Sequence, residues 1–373
     1  MRETVIVGIS GGVDSAVAAL LLQRQGYTVQ GLFMSNWDEH DSYCTIAEDF
    51  QDARRICDSL RIPLHRVSFA AEYRERVFAY FLREYRAGRT PNPDVLCNRD
   101  IKFGVCLSYM QRLGADRIAT GHYARLAHSP AGVALLKAAD TSKDQSYFLH
   151  AVSIDALGKT LFPIGEMQKS EVRRLAHAEG VAVHDKPDST GICFIGERPF
   201  REFLARYVDT TPGPIESAEG AVIGEHRGLA FYTLGQRSGI GLGGRRGAAE
   251  APWYVARKDT VRNALIVVQE HDHALLQSDN FAVGDMHWLL QRCDKQFECA
   301  VKTRYRQRDL PCSIEVCVDG SVQVRLVDAA RAVTPGQYAV FYAGEQCLGG
   351  GVIADRALQR PIAYNQGLLQ EVS

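Results

Sequence analysis

The sequence lacks several patterns that assign a protein to a class at once. None of its ten cysteines forms a C-x-x-C pair, so a zinc ribbon, a thioredoxin-type couple and a ferredoxin-type cluster are unsupported. No G-x-x-x-x-G-K-[ST] motif occurs, which excludes a Walker-type phosphate loop. The longest apolar run, residues 16–22, is far shorter than the ~20 residues that a membrane span needs.

An excess of charge of one sign is also lacking. The 43 Lys and Arg residues against 44 Asp and Glu residues give a net charge of −1, so any contact with RNA must depend on local basic patches. The chain starts with an apolar strand pattern, "TVIVGIS", and has no basic targeting segment before it. We therefore expect a cytoplasmic protein that is not bound to a membrane and whose cysteines are reduced.

The periodicity changes twice along the 373 residues, a length that exceeds one ordinary core. Up to about residue 185, strand and helix patterns alternate, which predicts an α/β domain with a parallel sheet that binds ligands at the carboxyl ends of its strands. We predict a catalytic domain over residues 1–205 and a small central β-rich domain over 206–270. Over 276–362 we predict an antiparallel β-barrel, or else a sandwich, with a hairpin turn at Asp319 and Gly320.

A glycine-rich hexapeptide, "SGGVDS" (residues 10–15), lies between the first predicted strand and the first predicted helix. Two adjacent glycines allow a tight turn whose amides converge on phosphate oxygens, and the helix N-terminus adds positive potential. The two serines supply hydroxyl donors, and Asp14 is a candidate for holding Mg²⁺ or for capping the helix. An ordinary strand-to-helix turn is the plainer interpretation of two glycines, but the whole hexapeptide indicates a phosphate site.

Two cysteines lie in polar loops of the predicted catalytic domain. In "PNPDVLCNRD" (residues 91–100) the prolines disfavour helix up to about Asp94, and the polar run after Cys97 indicates the start of the next helix. We therefore expect Cys97 at an accessible loop-to-helix junction, where the pKa of a thiol is lowered. Cys193 lies in "DSTGICFIGER". Asp94 is either an acid or base, or a cap.

Each of the two thiols, taken alone, could be structural. Together they suit the transfer of sulfur to a carbonyl carbon that ATP has activated. In such a reaction one thiol carries a persulfide and the other closes a disulfide with it.

The segment "KTRYRQRD" (residues 302–309) concentrates four basic side chains around Tyr305. If the segment is a strand, all four lie on one face and form a stripe suited to RNA phosphates. A solvated strand face is the alternative. Arg245 and Arg246 in "GLGGRRG" are a weaker candidate on a loop.

The hexapeptide after an N-terminal strand resembles the PP-loop of the ATP pyrophosphatases, enzymes that split ATP into AMP and pyrophosphate and adenylate an oxygen of their substrate. The resemblance implies that ATP binds here together with Mg²⁺, and it does not name the acceptor. The ATP-binding residues that it implies are Gly8, Ile9, Ser10, Gly11, Gly12, Val13, Asp14, Ser15, Met34 and Gly121. A methionine of the core is an equal alternative for Met34.

Seven further motifs occur in order over nearly the whole chain: "PNPDVLCN", "GHYA", "KDQSYFL", "DSTGICFIGER", "YTLGQRSG", "WYV" and "TPGQ". Together they resemble the bacterial tRNA-specific 2-thiouridylase family. The resemblance implies that Cys193 carries the persulfide sulfur, that Cys97 forms a transient disulfide with it, and that Asp94 acts as acid or base. The target-base residues that it implies are Asn92, Pro93 and Asp94, and the tRNA-contacting residues are His122, Lys143, Asp144, Gln145, Arg304, Tyr305 and Gln337.

The function that this resemblance implies is ATP-dependent 2-thiolation of the wobble uridine in the tRNAs for Lys, Glu and Gln. The C2 oxygen is adenylated and then replaced by the persulfide sulfur, giving 2-thiouridine, AMP and pyrophosphate. A sulfur-relay protein or a cysteine desulfurase would supply the sulfur, no iron–sulfur cluster is expected, and a monomer is sufficient to bind one tRNA. Three alternatives stay open: a PP-loop synthetase that forms an amide, a cluster-dependent tRNA thiolase, and a tRNA-binding protein without activity.

Overall fold

The computed structural model describes residues 2–37, 46–130, 132–187, 200–242, 251–290 and 294–357. Three features that the sequence singles out fall outside these ranges. They are the "DSTGICFIGER" segment with Cys193, the pair Arg245 and Arg246, and the end of the predicted C-terminal domain beyond residue 357.

The first part of the chain contains a parallel sheet. The described strands of this part are β1 (Thr4–Gly8), β2 (Thr28–Ser35), β3 (Leu64–Ser68), β4 (Arg117–Ala119), β5 (Arg125–Ser129), β6 (Gly132–Leu136) and β7 (Thr160–Leu161). Five of them form the sheet in the order β3-β2-β1-β4-β7, with every neighbouring pair parallel. The side chains of Val5, Ile6 and Val7 in the central strand are fully buried, as expected where helices cover both faces of a sheet. The predicted α/β class is confirmed.

Helices cover both faces of this sheet. They are α1 (Val13–Arg24), α2 (Ile46–Leu60), α3 (Ala70–Tyr73), α4 (Ala79–Arg86), α5 (Pro93–Leu96), α6 (Cys106–Arg112), α7 (Ser146–Leu149), α8 (Ile154–Gly158), α9 (Lys169–Ala178) and α10 (Phe200–Leu204). Two π-helical segments, Arg74–Phe78 and Cys97–Val105, join α3 to α4 and α5 to α6. Ile6 packs with the core that contains the second of these segments, whereas Val5 and Val7 pack with the core that contains α1.

The central part of the chain forms a small separate sheet. Its strands are β8 (Gly213–Ser217), β9 (Val222–His226), β10 (Tyr254–Asp259) and β11 (Ala264–Val268), in the order β10-β11-β8-β9. Two 3₁₀ turns, Leu229–Phe231 and Ala274–Leu276, accompany them. The side chains of Val255, Leu265 and Val267 are fully buried in its core.

The last part of the chain forms a closed antiparallel barrel. Its strands are β12 (Gln277–Trp288), β13 (Gln296–Lys302), β14 (Leu310–Val316), β15 (Val322–Arg331), β16 (Tyr338–Ala343) and β17 (Gln346–Ala357). The barrel is closed because β12 pairs with β15 on one side and with β17 on the other. The predicted turn between β14 and β15 is confirmed: Gly320 has φ +81°, and the Cys317 amide donates to the Ser321 carbonyl at 2.8 Å.

One connection between the parts was not predicted. The β5–β6 hairpin lies within the predicted catalytic domain, yet it extends the barrel sheet, because Leu136 of β6 pairs with Gln346 of β17. β17 pairs with β12 only from Gly349 onward, so the backbone of its first residues is free on that side, and the hairpin covers it. No helix among the described residues is long and apolar enough to cross a membrane.

Candidate active site

Three loops meet at the carboxyl edge of the parallel sheet. The phosphate loop (residues 9–15) follows β1, Asn36 follows β2, and Gly121 follows β4. Because β2, β1 and β4 are neighbours, these loops form one site of the kind that parallel sheets use for ligands. The side-chain amide of Asn36 donates a hydrogen bond to the Cys97 sulfur over 3.8 Å. Cys97 therefore lies at the same edge of the sheet as the phosphate loop.

The phosphate loop is shaped by its glycines and by a buried serine. Gly11 has φ +82°, and a Cβ there would lie 2.6 Å from the backbone oxygen of Asp49 on α2, so only glycine fits. The Ser15 hydroxyl is buried and donates to the Gly12 carbonyl at 3.0 Å, and it accepts from the Ser10 amide at 3.2 Å. The Ser10 side chain is exposed at the edge of the loop, where it can donate to a phosphate.

Asp14, in the first turn of α1, is held by two residues that are distant in the sequence. The Lys169 ammonium donates to both carboxylate oxygens, at 2.7 and 2.8 Å, and the Tyr123 hydroxyl donates to one of them at 2.8 Å. The Lys169 side chain is only 11% exposed. Sequence reasoning missed Lys169 because no local motif marks it. Only the three-dimensional fold reveals this residue, because the packing of α9 on α1 places its cation beside the phosphate loop.

Gly121 supports the phosphate loop by close contact. A Cβ on Gly121 would lie 2.7 Å from the Ser15 amide nitrogen, so the loop after β4 can approach α1 only with glycine at this position. Met34, near the end of β2, is half-buried and packs against the core. Among the other predicted ATP-binding residues, Gly8 ends β1, and Ile9 and Val13 are buried.

The thiol segment (residues 90–100) becomes helical earlier than the sequence predicts. Asn92 is the N-cap of α5, its side-chain oxygen accepting from the Asp94 amide at 3.2 Å. Pro93 takes the first helical position, where a missing N–H is not needed. The helix thus begins within a residue of the predicted limit near Asp94, and the prediction that the next helix starts only in the polar run after Cys97 was wrong. Cys97 is the residue at which α5 passes into the π-helical segment.

The Cys97 thiol is fully buried, at 0% exposure. It packs in the core that also holds Leu96 and Ile101. The expectation of an accessible thiol was wrong for this conformation, because the segment is a buried helix and not a loop. Asn36 Oδ1 is buried as well and finds no hydrogen-bond partner in the part of the chain that the structure describes. Cys193 lies outside the described residues, so no distance joins the two thiols.

His122 is buried in an aromatic environment. Its ring lies 5.8 Å from that of Phe103 and 6.1 Å from that of Phe162, and its Nδ1 lies 2.8 Å from the Thr120 hydroxyl. Burial, reinforced by the positive charge of Lys102, lowers the pKa of His122 well below its usual value. A neutral imidazole can hydrogen-bond to a base but cannot neutralise a phosphate. Its contact with tRNA stays a prediction.

The residues of the "KDQ" motif lie against the protein interior. Asp144 is buried, and one of its carboxylate oxygens accepts from the amides of Ala138 and Ser146, both at 3.1 Å. The Gln145 side chain accepts from the Tyr123 amide at 2.9 Å. Lys143 is half-buried beside them. These contacts fix the loop that precedes α7, and the tRNA contacts predicted for this motif are not tested by them.

The basic stripe predicted over residues 302–309 does not form. The strand ends at Lys302, and a turn follows in which the Gln307 side chain accepts from the Thr303 amide at 2.7 Å. Arg306 has φ +65°, which interrupts the alternation of a strand. The Arg304 guanidinium donates to two backbone carbonyls and to a hydroxyl, those of Leu234, Ala332 and Thr334, at 2.9, 2.7 and 3.0 Å. Tyr305 packs 4.4 Å from the ring of Phe148.

Thr90, at the start of the thiol segment, contacts both other domains. Its hydroxyl lies 3.3 Å from that of Thr233 in the central domain. Its amide donates to the Pro335 carbonyl at 3.1 Å, and its carbonyl accepts from the Gln337 side chain at 2.8 Å. Gln337 is predicted to contact tRNA. In this structure its side-chain nitrogen is already bound to the thiol segment.

Family models match along most of the chain. A model described as "tRNA methyl transferase HUP domain" matches residues 3–197, "tRNA methyl transferase PRC-barrel domain" matches 201–269, and "Aminomethyltransferase beta-barrel domain" matches 278–353. A solved structure, NMN synthetase from Francisella tularensis, aligns at 21% identity with a TM-score of 0.34, over 54% of this chain and 72% of that one. The parallel sheet with its glycine-rich loop defines a HUP-domain protein of the PP-loop class.

Curated relatives align over nearly the full length. A tRNA-specific 2-thiouridylase MnmA from Tolumonas auensis is 54% identical, over 94% of this chain and 96% of the relative. A protein of the same name from Chromohalobacter salexigens is 56% identical, over 94% and 92%, and one from Vibrio cholerae is 53% identical, over 95% and 97%. The chain belongs to the tRNA-specific 2-thiouridylase family.

Proposed function

We propose that this protein is an ATP-dependent tRNA-uridine 2-sulfurtransferase. The observation that carries the proposal is identity above one half over nearly the full length of relatives with this activity in their names. The domain descriptions mention methyl transfer, but each of them matches only one part of the chain. We therefore base the proposed activity on the relatives that align over nearly the full length. The phosphate loop and Cys97 at one sheet edge supply the two chemical functions that the reaction needs.

The adenylation half of the reaction belongs to the phosphate loop. The uridine C2 oxygen attacks the α-phosphorus of ATP, and pyrophosphate leaves. The loop amides, the Ser10 hydroxyl and the Lys169 ammonium are placed to bind phosphate oxygens and to stabilise the departing negative charge.

Magnesium fits this site as a companion of ATP. Mg²⁺ is usually held by one or two carboxylates together with substrate phosphates, and Asp14 is the carboxylate available at the loop. Because Asp14 now binds Lys169, holding Mg²⁺ would require the two cations to share its oxygens. Within the described ranges no three His, Cys, Asp or Glu side chains are grouped to hold a metal ion.

The sulfur half of the reaction is assigned to Cys193 and Cys97. The terminal sulfur of a Cys193 persulfide bonds to the adenylated C2 carbon, directly or as released hydrosulfide, and AMP leaves with the oxygen. Cys97 attacks the inner sulfur, so that the two thiols give up two electrons and the transferred sulfur is reduced. The resulting disulfide is reset by an external thiol. Since Cys97 is buried, this step requires the thiol segment to open.

The finer assignments rest on the position of the thiol segment at the sheet edge. Asn92, Pro93 and Asp94 would face the target base, and Asp94, one helical turn before Cys97, would move the proton. We assign the tRNAs for Lys, Glu and Gln as substrates, a sulfur-relay protein or cysteine desulfurase as donor, and a monomer as the working form.

The decisive experiment incubates the protein with ATP, sulfide and tRNA that carries a wobble uridine, and measures nucleosides by mass spectrometry. We expect 2-thiouridine at the wobble position and one AMP for each sulfur. An unmodified wobble base would overturn the function. With a persulfide donor, Cys193→Ala should still form AMP but no 2-thiouridine. Loss of AMP formation in that variant would show that the two halves of the reaction are not separate.

A further inference from the structure

A cavity of about 350 Å³ lies between the catalytic domain and the barrel. The thiol segment contributes Leu96 and Arg99 to its wall, whereas Cys97 and Asp94 do not line it. On a helix, residues three apart share a face, so Leu96 and Arg99 present one face of the thiol segment to the cavity. The opposite wall comes from β12, β16 and β17 of the barrel. This is a second site, behind the helix that carries the thiol.

The cavity is lined by an excess of positive charge. Arg76, Arg83 and Arg99 line it, against one carboxylate, Asp285. Among the described residues, Arg76 has no carboxylate within ion-pair distance. Arg83 lies 3.8 Å from Glu84, a carboxylate that an arginine outside the cavity already binds at 2.5 Å. Arg83 also lies over the ring of Tyr80, at 4.9 Å from its centre, and Arg99 is bound by Asp100 at 2.8 and 2.9 Å. Within the part of the chain that the structure describes, Arg76 is therefore the cavity cation without a partner, and Arg83 is held only loosely.

Two neutral histidines complete the wall. His150 Nδ1 lies 2.7 Å from the Tyr147 carbonyl and His287 Nε2 lies 3.3 Å from the Val152 carbonyl. Because a carbonyl only accepts, these nitrogens carry the hydrogen and the other ring nitrogen of each histidine is left as an acceptor. Burial lowers the pKa of His150 to about 4 and also lowers that of His287, and the positive charge of Arg99 adds to both effects. The cavity thus offers cations and hydrogen-bond acceptors side by side.

We propose that this cavity binds a phosphate-bearing nucleotide, either one unit of an RNA chain or a free nucleotide. Guanidinium groups match phosphate oxygens in geometry and charge, and the imidazole acceptors match the N–H and O–H groups of a base or ribose. The volume lies in the range of about 300–1,000 Å³ that small-molecule pockets occupy. Only the RNA source rests on the proposed function. A bound nucleotide would join the thiol segment to the barrel through Arg99 and the strands opposite.

The test uses Arg76→Gln and Arg83→Gln, which each remove one cation from the cavity. Arg86→Gln is the matched control, because it removes one cation from the same helical stretch but outside the cavity, where Arg86 donates to the Tyr207 carbonyl. Thermal melting verifies that each variant folds. Two probes separate the sources of the nucleotide: UMP by equilibrium dialysis, and tRNA by filter binding at several salt concentrations.

If the ligand is free, both cavity variants bind UMP about tenfold more weakly than Arg86→Gln does, in keeping with the loss of a charge-assisted hydrogen bond. If the ligand is RNA, they bind tRNA about tenfold more weakly and the slope of log K against log salt falls by about 1. Affinities for both probes that match those of Arg86→Gln would overturn the proposal. Failure of the wild-type protein to form 2-thiouridine would overturn the proposed function but not these binding results.

Discussion

The phosphate loop and the thiol segment belong to one candidate site, but different parts of the molecule hold them in place. The phosphate loop is fixed by its own domain, with Gly11 against α2 and Asp14 bound by Lys169 of α9. The thiol segment is tied at Thr90 to the central domain and to the barrel. The loop exposes Ser10 at the sheet edge, whereas Cys97 is fully buried.

This difference indicates that the two halves of the reaction depend on the fold in different ways. The proposed adenylating half is held in place by contacts inside the catalytic domain and exposes Ser10 at the sheet edge. In the proposed reaction the sulfur half depends on the other two domains, and the thiol segment would have to open before Cys97 reacts. Variants that affect one half alone are the way to test this comparison.

The largest effect is expected from Lys169→Met. Removing the ammonium takes away the cation beside Asp14 and the phosphate loop, and the loss of one such electrostatic contact costs about 10²–10³ in rate. We expect AMP formation to fall by about this factor in the presence of tRNA, while alkylation of Cys97 proceeds as in the wild-type protein. AMP release, measured by chromatography, gives the first value, and peptide mass spectrometry gives the second.

Lys159→Met is the matched control, since Lys159 is exposed at the end of α8. It should leave AMP formation within about twofold of wild type, because exposed charges contribute little. A Lys169→Met protein with normal AMP formation would show that Asp14 and Lys169 form only a structural ion pair.

The second prediction concerns the burial of Cys97. In the free protein, N-ethylmaleimide should modify Cys97 at least about tenfold more slowly than Cys317, which is half-buried in the turn after β14, because a buried thiol reacts only after local opening. ATP and tRNA together should raise the rate at Cys97 and leave that at Cys317 unchanged. Quenched time points analysed by peptide mass spectrometry give both rates. Equal rates in the free protein would mean that the thiol segment is open without ligands.

The third prediction concerns the link between barrel and thiol segment. Gln337→Ala removes the hydrogen bond to the Thr90 carbonyl, which is worth about 1 kcal/mol. The segment opens more readily without this bond, but it also loses a contact that positions Cys97 for the sulfur step. We therefore expect 2-thiouridine formation to fall about 3- to 10-fold and tRNA-dependent AMP formation to stay within about twofold. Gln323→Ala, at an exposed position of β15 in the same barrel, should change neither. An equal fall in both products would instead favour the tRNA contact that the family resemblance implies for Gln337.

Local sequence determines the phosphate loop and the barrel hairpin, and both could be predicted. Gly11 and Gly320 mark backbone conformations that few other residues adopt, so a short motif carries the whole signal. Lys169 could not be predicted, because its function comes from a contact with a residue 155 positions away. The early helix start at Pro93 was misjudged because proline interrupts helices everywhere except in their first turn.

Charged segments show the same limit. Residues 302–309 are rich in arginine, yet the fold turns Arg304 inward to backbone carbonyls. Arg76, Arg83 and Arg99 are scattered over 24 residues of sequence, and no motif groups them. Tertiary packing alone decides which arginines are committed to the protein and which line a cavity.

The last prediction concerns the pH dependence of stability, which is measured apart from the reaction. Burial lowers the pKa of His150 from 6.5 to about 4, so below pH 6.5 the unfolded chain binds a proton that the folded protein excludes. The free energy of unfolding therefore decreases as the pH is lowered, by about 1.5 kcal/mol between pH 6.5 and 5 for this residue. His122 beside the phosphate loop adds an effect of the same sign, since its pKa is also lowered.

Urea unfolding at several pH values tests this and extends the comparison of the two regions. His150→Gln, behind the thiol segment, and His122→Gln, beside the phosphate loop, should each flatten the dependence. His271→Gln, whose side chain is 62% exposed, should leave it unchanged. His122→Gln alone could flatten the pH dependence of the free energy of unfolding. That result would mean that the contact between thiol segment and barrel opens below pH 6.5 and that His150 takes up its proton in the folded protein. A wild-type stability that is constant from pH 7 to 5 would mean that both imidazoles reach solvent without unfolding.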